Sequence, residues 1–189
     1  MRNIPADRMR LHICWGNYEG PHDHDIALAK VAPILLKAKP AALVIEAANP
    51  RHEHEWSLWR GLKLPEDKLL IAGVIDTSTN YVEHPELVAE RIERLAHVVG
   101  RERVIAGTDC GFGTFAGYGK IDPAIAFKKL AAMVEGAALA TKRLWAKPKA
   151  KAKKPVKKAA RVRAGARTAT RKKAAARERV SAKRRRARR

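Results

Sequence analysis

An α/β fold with a parallel sheet is the architecture that the first 145 residues predict, and two observations predict it. Four short runs rich in Val, Ile and Leu recur along the chain, and helical patterns alternate with them. Continuous apolar character without strict alternation is typical of parallel strands that are buried on both faces. Strands that alternate with helices are typical of βαβ units, so the chain is expected to build one continuous parallel sheet.

The four predicted strands share a chemical feature at their carboxyl ends. Each run of apolar residues ends in, or just before, a carboxylate or a cysteine. In a parallel α/β barrel all these strand ends open onto one face, where active sites form. The predicted strands are Arg10–Cys14, Ala41–Glu46, Leu69–Asp76 and Arg103–Asp109.

The predicted helices differ in how clearly the sequence marks them. The third has the clearest pattern, because a proline occupies its first turn, apolar residues recur at spacings of three and four, and a glycine follows its last residue. The first contains Pro33, which is expected to kink it. The predicted helices are Asp25–Lys39, a short Glu53–Leu62, Pro85–Val99 and Pro123–Leu144.

Four strand–helix units correspond to half of a (β/α)8 barrel, which typically needs about 250 residues. An open flavodoxin-like sheet is the structural alternative. No glycine-rich phosphate loop follows the first predicted strand, so the sequence gives that alternative no support. A half barrel would leave two sheet edges uncovered, and such edges tend to pair with other chains.

The charge of the chain is concentrated at its C-terminal end. Residues 146–189 contain 21 Lys and Arg residues against one acid, so they carry +20 of the formal net charge of +21. The segment is a low-complexity mixture of Ala, Lys and Arg without aromatic residues, and it has too little apolar surface to offset the entropy of ordering. The sequence therefore predicts two parts, a folded domain over residues 1–145 and a disordered basic tail over residues 146–189.

The chain begins without the apolar stretch of a signal peptide, and no run approaches the roughly 18 apolar residues of a membrane span. The two cysteines lie far apart in sequence. In a reducing compartment such cysteines are more often metal ligands or catalytic groups than a disulfide. These observations predict a cytoplasmic protein with no membrane contact.

Four side chains at strand ends make up a candidate metal site. His12 and Cys14 are two residues apart on a strand and point to the same face, while Glu46 and Cys110 close the second and fourth strands. Imidazole, thiolate and carboxylate are the ligands that zinc takes in a tetrahedron. A substrate thiol bound to Zn²⁺ would lose its proton near neutral pH and become a nucleophile. The spacing by itself is also compatible with a core histidine and two buried apolar cysteines.

Other strand-end residues are further candidates. Asp76 and Asp109 are candidate catalytic residues that orient ligands or substrate, or they cap strand ends without a function. Trp15 and Asn17 follow the first ligand pair and are candidate substrate-binding residues. The two His-x-His pairs, His22/His24 and His52/His54, are predicted to be surface histidines.

Four blocks of the sequence, in order, resemble the C-terminal catalytic barrel of the cobalamin-independent methionine synthase family, which has single-barrel relatives that include epoxyalkane:coenzyme M transferase. The resemblance covers residues 4–145. In that family an H-x-C pair, a Glu in an "IE" block and the Cys of a "DCG" block hold zinc, which implies His12, Cys14, Glu46 and Cys110 here. The blocks are LHICWGNYEGPH, LVIEAANPRHEHEW, GVIDTSTNYVEHPELVAERI and VIAGTDCGFGTFAGYG.

The resemblance implies a zinc-dependent methyl or alkyl transfer to a small thiol such as homocysteine, with a methyl-folate as one candidate donor, as in methionine biosynthesis. The family has a histidine two residues after the aspartate of its "YDIHSP" block, and this chain has Ser78 there. The resemblance also implies an N-terminally truncated chain that begins in the middle of a family domain and is inactive alone. A fragment of a longer product, a half barrel completed by a partner chain or by self-association, and a degenerate remnant are the open alternatives.

The basic tail supports an alternative function. About 20 positive charges on a flexible segment would bind phosphates without sequence preference and with strong salt dependence. The alternative hypothesis is therefore a nonspecific nucleic-acid-binding protein on a vestigial barrel fragment. A solvated extension without a partner would have the same composition.

Overall fold

Four parallel strands form the sheet on which the protein is built, in a computed structural model that describes residues 2–113, 116–117 and 121–146. Each strand pairs in parallel with the next one along the chain. This sequential order is the arrangement of four successive units of a (β/α)8 barrel. The strands are β1 (Arg10–His12), β2 (Ala42–Ile45), β3 (Leu69–Ile75) and β4 (Val104–Thr108).

Helices connect and cover these strands, so the predicted alternation of strand and helix is confirmed within the described residues. Two of the three α-helices have the bounds that the sequence predicts. The α-helices are α1 (Leu28–Leu35), α2 (Pro85–Val99) and α3 (Pro123–Leu144), and the 3₁₀ helices are Ala6–Arg8, Glu53–Arg60 and Arg101–Arg103.

The first helix is shorter than predicted, and the second predicted helix is of the 3₁₀ type. Ala27 precedes α1 and offers no side-chain cap. The first amide of the helix, that of Leu28, instead donates a hydrogen bond of 2.6 Å to the carboxylate of Glu55. A side chain from the 3₁₀ helix therefore supplies the cap that the local sequence lacks, and α1 begins where that contact is made.

The core lies around β3, the most deeply buried strand. Its residues from Leu70 to Ile75 are all buried, in agreement with the continuous apolar run of the sequence. Leu28 and Leu43 are 1% exposed, and Trp59 is 4% exposed on the same cluster. The two outer strands are much less covered, and Ile105 on β4 is 40% exposed.

Two contacts position α3. A Cβ atom added to Gly136 would lie 2.5 Å from Cβ of Val88, so the glycine allows α3 to approach α2 closely. Lys129 of α3 is fully buried and its ammonium group lies 2.8 Å from the carboxylate of Glu83. The other oxygen of Glu83 accepts a hydrogen bond from the backbone amide of Asp76. The buried ion pair thus fastens the loop after β3 to the last helix.

Among the described residues no helix is both long and apolar enough to cross a membrane. The described residues belong to one unit, Met1–Lys147, and the unit that follows it lies outside them. The predicted disordered tail, from its second residue onward, also lies outside the described residues.

Candidate metal centre

The four candidate zinc ligands meet at the carboxyl ends of the strands. His12 is the last residue of β1, Cys14 follows two residues later, Glu46 comes directly after β2, and Cys110 lies two residues after β4. The ligand atoms of His12, Cys14 and Cys110 all lie within 4.8 Å of one another. The parallel sheet therefore collects at one edge side chains that are up to 98 residues apart in sequence.

Cys110 is the centre of this group. Its Sγ atom lies 3.3 Å from Nε2 of His12, 3.2 Å from Sγ of Cys14 and 3.4 Å from Oε1 of Glu46. Ligand atoms around a tetrahedral zinc, at bond lengths of about 2.0–2.3 Å, are separated by roughly 3.3–3.8 Å. The contacts of Cys110, at 3.2–3.4 Å, lie at or just below the short end of that range. The ligand atoms that all lie within 4.8 Å of one another are those of His12, Cys14 and Cys110, while Glu46 joins the group through Cys110. The donor set of one nitrogen, two sulfurs and one oxygen suits Zn²⁺.

The electrostatics of the site favour a cation. Burial, the contact with Cys14 and the negative charge of Glu46 raise the pKa of the Cys110 thiol well above its ordinary value. Without a positive charge in the site this thiol stays protonated. A divalent cation would reverse that balance, because a coordinating thiol is deprotonated by the charge of the metal.

The turn after β1 directs backbone amides at the ligand atoms. The amide of Gly16 donates a hydrogen bond of 3.2 Å to Sγ of Cys14, and the amide of Trp15 donates one of 3.1 Å to Oε1 of Glu46. Gly16 has a φ of 88°, in the left-handed region that favours glycine. This turn therefore orients two of the four candidate ligands.

Trp15 and Asn17, the candidate substrate-binding residues, lie in that same turn. The indole of Trp15 stacks on the imidazole of His52, with ring centroids 4.2 Å apart, and its Nε1 donates to the carbonyl oxygen of Ile26. Asn17 is buried and donates a hydrogen bond of 2.6 Å to the hydroxyl of Thr77. Both side chains connect the loop after β1 to neighbouring segments at the carboxyl ends of the strands.

Asp109 and Asp76, the candidate catalytic residues, have different surroundings. Asp109 is fully buried, and burial raises its pKa to about 6, although hydrogen bonds from the segment after β2 act in the opposite direction. Asp76 is bound within its own loop, where it accepts hydrogen bonds from Ser78 and from the hydroxyl of Thr79. Ser78, at the position of the family's histidine, therefore contacts Asp76.

The prediction that both His-x-His pairs lie on the surface is wrong for His52. His52 is 2% exposed, whereas His24 and His54 are exposed. Its Nδ1 lies 3.0 Å from a carboxylate oxygen of Glu55, and its Nε2 lies 3.3 Å from one of Asp25, a contact too bent to count as a hydrogen bond. His22 reaches the same oxygen of Asp25 at 2.6 Å.

These four side chains, His22, Asp25, His52 and Glu55, form what we call the imidazole–carboxylate cluster. Burial disfavours the charged form of His52, but the hydrogen bond to Glu55 and the charges of Glu55, Glu46 and Asp25 outweigh burial and raise its pKa. Burial acts in the same way against the charge of Asp25, and the two histidines outweigh it, so the pKa of Asp25 is lowered. The cluster is therefore an ion-pair network beside the candidate metal centre.

Sequence reasoning also missed Asn49. It is buried, and its side-chain amide donates hydrogen bonds to both Glu46 and Asp109. The only local signal is its position, three residues after a strand-end carboxylate and directly before a proline. That signal is too common to single out a residue.

The chain is similar in sequence to two enzymes of known name. The chain is 29% identical over 166 residues to 2-hydroxypropyl-CoM lyase of Xanthobacter autotrophicus, an alignment that covers 75% of this chain and 42% of the relative. It is 30% identical over 136 residues to methionine synthase of Thermococcus kodakarensis, covering 71% of this chain and 34% of the relative. The chain thus spans about two fifths or less of the length of these curated relatives. No protein-family model matches the chain.

A solved structure supports the fold. The B12-independent methionine synthase from Shewanella sp. W3-18-1, in complex with selenomethionine, aligns with a TM-score of 0.55 at 24% identity, over 71% of this chain and 39% of that chain. This similarity confirms the predicted α/β barrel-type fold class. Together with the two enzymes above, it supports the assignment of the chain to the cobalamin-independent methionine synthase family.

Proposed function

We propose that this chain provides a thiol-activating zinc site for methyl or alkyl transfer to a small thiol. The observation that carries the proposal is the convergence of His12, Cys14, Glu46 and Cys110 on contacts of 3.2–3.4 Å around one sulfur atom. The relatives that it matches are named for methionine and for 2-hydroxypropyl-CoM, and both of these compounds are small thioethers. A chain that positions a thiol for alkylation suits either product.

A bound Zn²⁺ would lower the pKa of the substrate thiol and hold it as a thiolate. The residues of the chain supply the geometry for that event. Three of the four donors are nitrogen or sulfur, and the single oxygen donor, Glu46, is the one that an incoming thiol is best suited to replace. The amide of Trp15 and the side chain of Asn49 already donate hydrogen bonds to Glu46, so its carboxylate keeps hydrogen-bond partners if it leaves the metal.

Trp15 and Asn17 are proposed to line the thiol pocket, because both lie in the turn that begins at Cys14. A homocysteine-class thiol and a methyl-folate donor are the substrates that the methionine synthase relatives favour. The domain division at residue 145, a cytoplasmic location, and a partner chain or second copy that completes the barrel remain predictions. Nucleic-acid binding by the tail rests on charge alone, and the comparisons do not favour it as the main function.

The proposal is tested first by zinc stoichiometry on the purified full-length chain, with elemental analysis after dialysis. We expect about one zinc per chain, and we expect Cys110→Ser and His12→Ala each to lose it, because each removes one donor of a tetrahedral site. His24→Ala is the matched control, since that imidazole is 99% exposed. A wild-type chain that folds but retains no zinc, or a Cys110→Ser chain that retains it fully, would contradict the proposal.

A further inference from the structure

Asp109 lies directly after β4, but its carboxylate binds the segment that follows β2. One of its oxygens accepts hydrogen bonds from the amides of Ala47 and Ala48, at 2.8 and 2.9 Å, and the other accepts from the amide of Asn49 at 2.8 Å. The carboxylate is fully buried. It therefore fixes the backbone of the segment directly after Glu46, a candidate metal ligand.

Asn49 carries this contact on to Glu46. Its side-chain nitrogen lies 2.8 Å from Oε2 of Glu46 and 3.0 Å from Oδ2 of Asp109. Its side-chain oxygen accepts hydrogen bonds from the amides of Arg51 and His52, which leaves the nitrogen directed at the two carboxylates. With Oε2 held in this way, Oε1 of Glu46 faces Cys110.

Gly73 on β3 provides the space that Asp109 occupies. A Cβ atom at this position would lie 2.0 Å from Oδ1 of Asp109 and 2.7 Å from its Cα atom. Both distances are far below van der Waals contact, and the second involves backbone that cannot rotate away. Any larger residue at position 73 would displace the carboxylate from the amides that it binds.

We propose that Gly73, Asp109 and Asn49 form a positioning unit that sets the orientation of Glu46 in the metal centre, an inference that rests on the proposed zinc site. None of the three is a candidate metal ligand, and for Asp109, a candidate catalytic residue in the sequence, the contacts favour a positioning role instead. Asp109 acts through Asn49, and Gly73 acts by leaving room for Asp109. Outer contacts of this kind orient metal ligands, and removing one commonly weakens metal binding by about 10- to 100-fold.

The test compares zinc affinities of full-length variants, measured by competition with a chromophoric chelator. Gly73→Ala and Asn49→Asp are each expected to weaken zinc binding by about ten-fold or more, while Asp109→Asn tests the carboxylate itself. The matched control is Gly107→Ala. Gly107 pairs in register with Gly73 on the next strand, but a Cβ there would meet Ile71 Cγ2 at 2.8 Å and the carbonyl oxygen of Ala72 at 3.5 Å, and no part of Asp109 is among its near contacts.

If Gly73 has only a structural role, Gly73→Ala and Gly107→Ala should both lower the melting temperature, and each should lose zinc affinity in proportion to that loss of stability. The positioning role predicts that Gly73→Ala and Asn49→Asp lose affinity beyond the control at comparable melting temperatures. Wild-type affinity in folded Gly73→Ala or Asn49→Asp would overturn the inference. If Gly73→Ala does not fold, Asn49→Asp and Asp109→Asn carry the test by the same criterion.

A metal-independent measurement separates this inference from the proposed function. If the wild-type chain binds no zinc, the proposed function fails, and crystal structures of the metal-free wild type and Asn49→Asp then decide the positioning claim. A Glu46 carboxylate that has moved away from Cys110 in the variant supports it. A Glu46 that keeps its 3.4 Å contact with Cys110 overturns it.

Discussion

At the scale of single residues, the candidate metal centre depends on which atoms surround each side chain. Glu46 and Asp109 are both fully buried carboxylates at strand ends, yet Glu46 contacts the thiol of Cys110 whereas Asp109 binds the backbone amides after β2. A sequence shows the same residue class at both positions. Only the three-dimensional surroundings separate a candidate ligand from the residue that positions it.

His52 leads to a pH prediction at the same scale. Its pKa is raised in the folded protein, so the stabilisation that it contributes is complete below its unfolded pKa, about 6.5, and is lost as pH rises through the folded value. Asp25 stays ionised over this range because its pKa is lowered. We therefore expect His52→Gln to cost more free energy of unfolding at pH 6 than at pH 8.5.

Urea unfolding of wild type and His52→Gln at the two pH values measures this difference. Taking the difference between the two chains cancels the titration of the other histidines to first order. His54→Gln is the control, because that neighbouring side chain is exposed and should show no such pH dependence. A His52→Gln cost that is equal at both pH values would show that His52 is not charged in the folded protein.

At the scale of secondary-structure elements, the loops at the carboxyl ends of the strands are held by side chains from elsewhere. Glu55 of a 3₁₀ helix caps α1, and Asn17 after β1 donates to Thr77 after β3. Lys129 of α3 pairs with Glu83, and it also donates to the carbonyl oxygen of Tyr81. The loops around the candidate site are therefore held by contacts between different secondary-structure elements rather than by contacts inside one element.

The Lys129–Glu83 pair gives the prediction at this scale. Removing one partner of a buried ion pair leaves the other charge uncompensated, so Lys129→Met should lower the free energy of unfolding by about 3 kcal/mol or more. Chemical denaturation measures the loss. Lys128→Met is the matched control, because the neighbouring lysine is exposed and its replacement should change stability by no more than about 0.5 kcal/mol. Equal effects of the two replacements would contradict the role of the pair.

At the scale of the whole molecule, the candidate ligands come from the ends of three of the four strands, β1, β2 and β4. A metal bound there would join segments from position 12 to position 110 of the sequence. Binding to the folded state alone stabilises it by about 4 kcal/mol when the free ligand exceeds its dissociation constant 1,000-fold.

Zinc should therefore raise the melting temperature of the full-length chain. A stabilisation of this size in a domain of about 150 residues corresponds to a rise on the order of 10 °C, which a chelator should reverse. Differential scanning calorimetry with zinc, with magnesium and with excess chelator makes the measurement. Magnesium should have no effect, since it avoids thiolate ligands, and Cys110→Ser should not respond to zinc. An equal zinc response in that variant would place the binding elsewhere.

The sequence by itself determined the element order, the bounds of α2 and α3, and the chemical types at the strand ends. These features are local, because apolar periodicity, a proline in the first turn and a strand-end carboxylate lie within a few neighbouring residues. The four candidate ligands are predicted from their positions at strand ends together with the family resemblance, because the spacing by itself leaves a buried histidine and two buried cysteines open. The first residue of helix α1 could not be predicted from its own sequence, because its N-terminal cap is the side chain of Glu55, 27 residues further along the chain.

Only the tertiary structure decided which buried polar groups meet. The contacts of Asp109 with the segment after β2 span about 60 residues, and the space that Gly73 leaves for its carboxylate depends on the register of β3 against β4. His52 lies in a pattern typical of surface histidines and is buried, because two carboxylates and the ring of Trp15 enclose it. Such contacts cannot be recognised from neighbouring residues, because the sequence around each polar residue is compatible with many different partners. In the folded protein, buried charged and polar groups are stable when each has a hydrogen-bond or ion-pair partner.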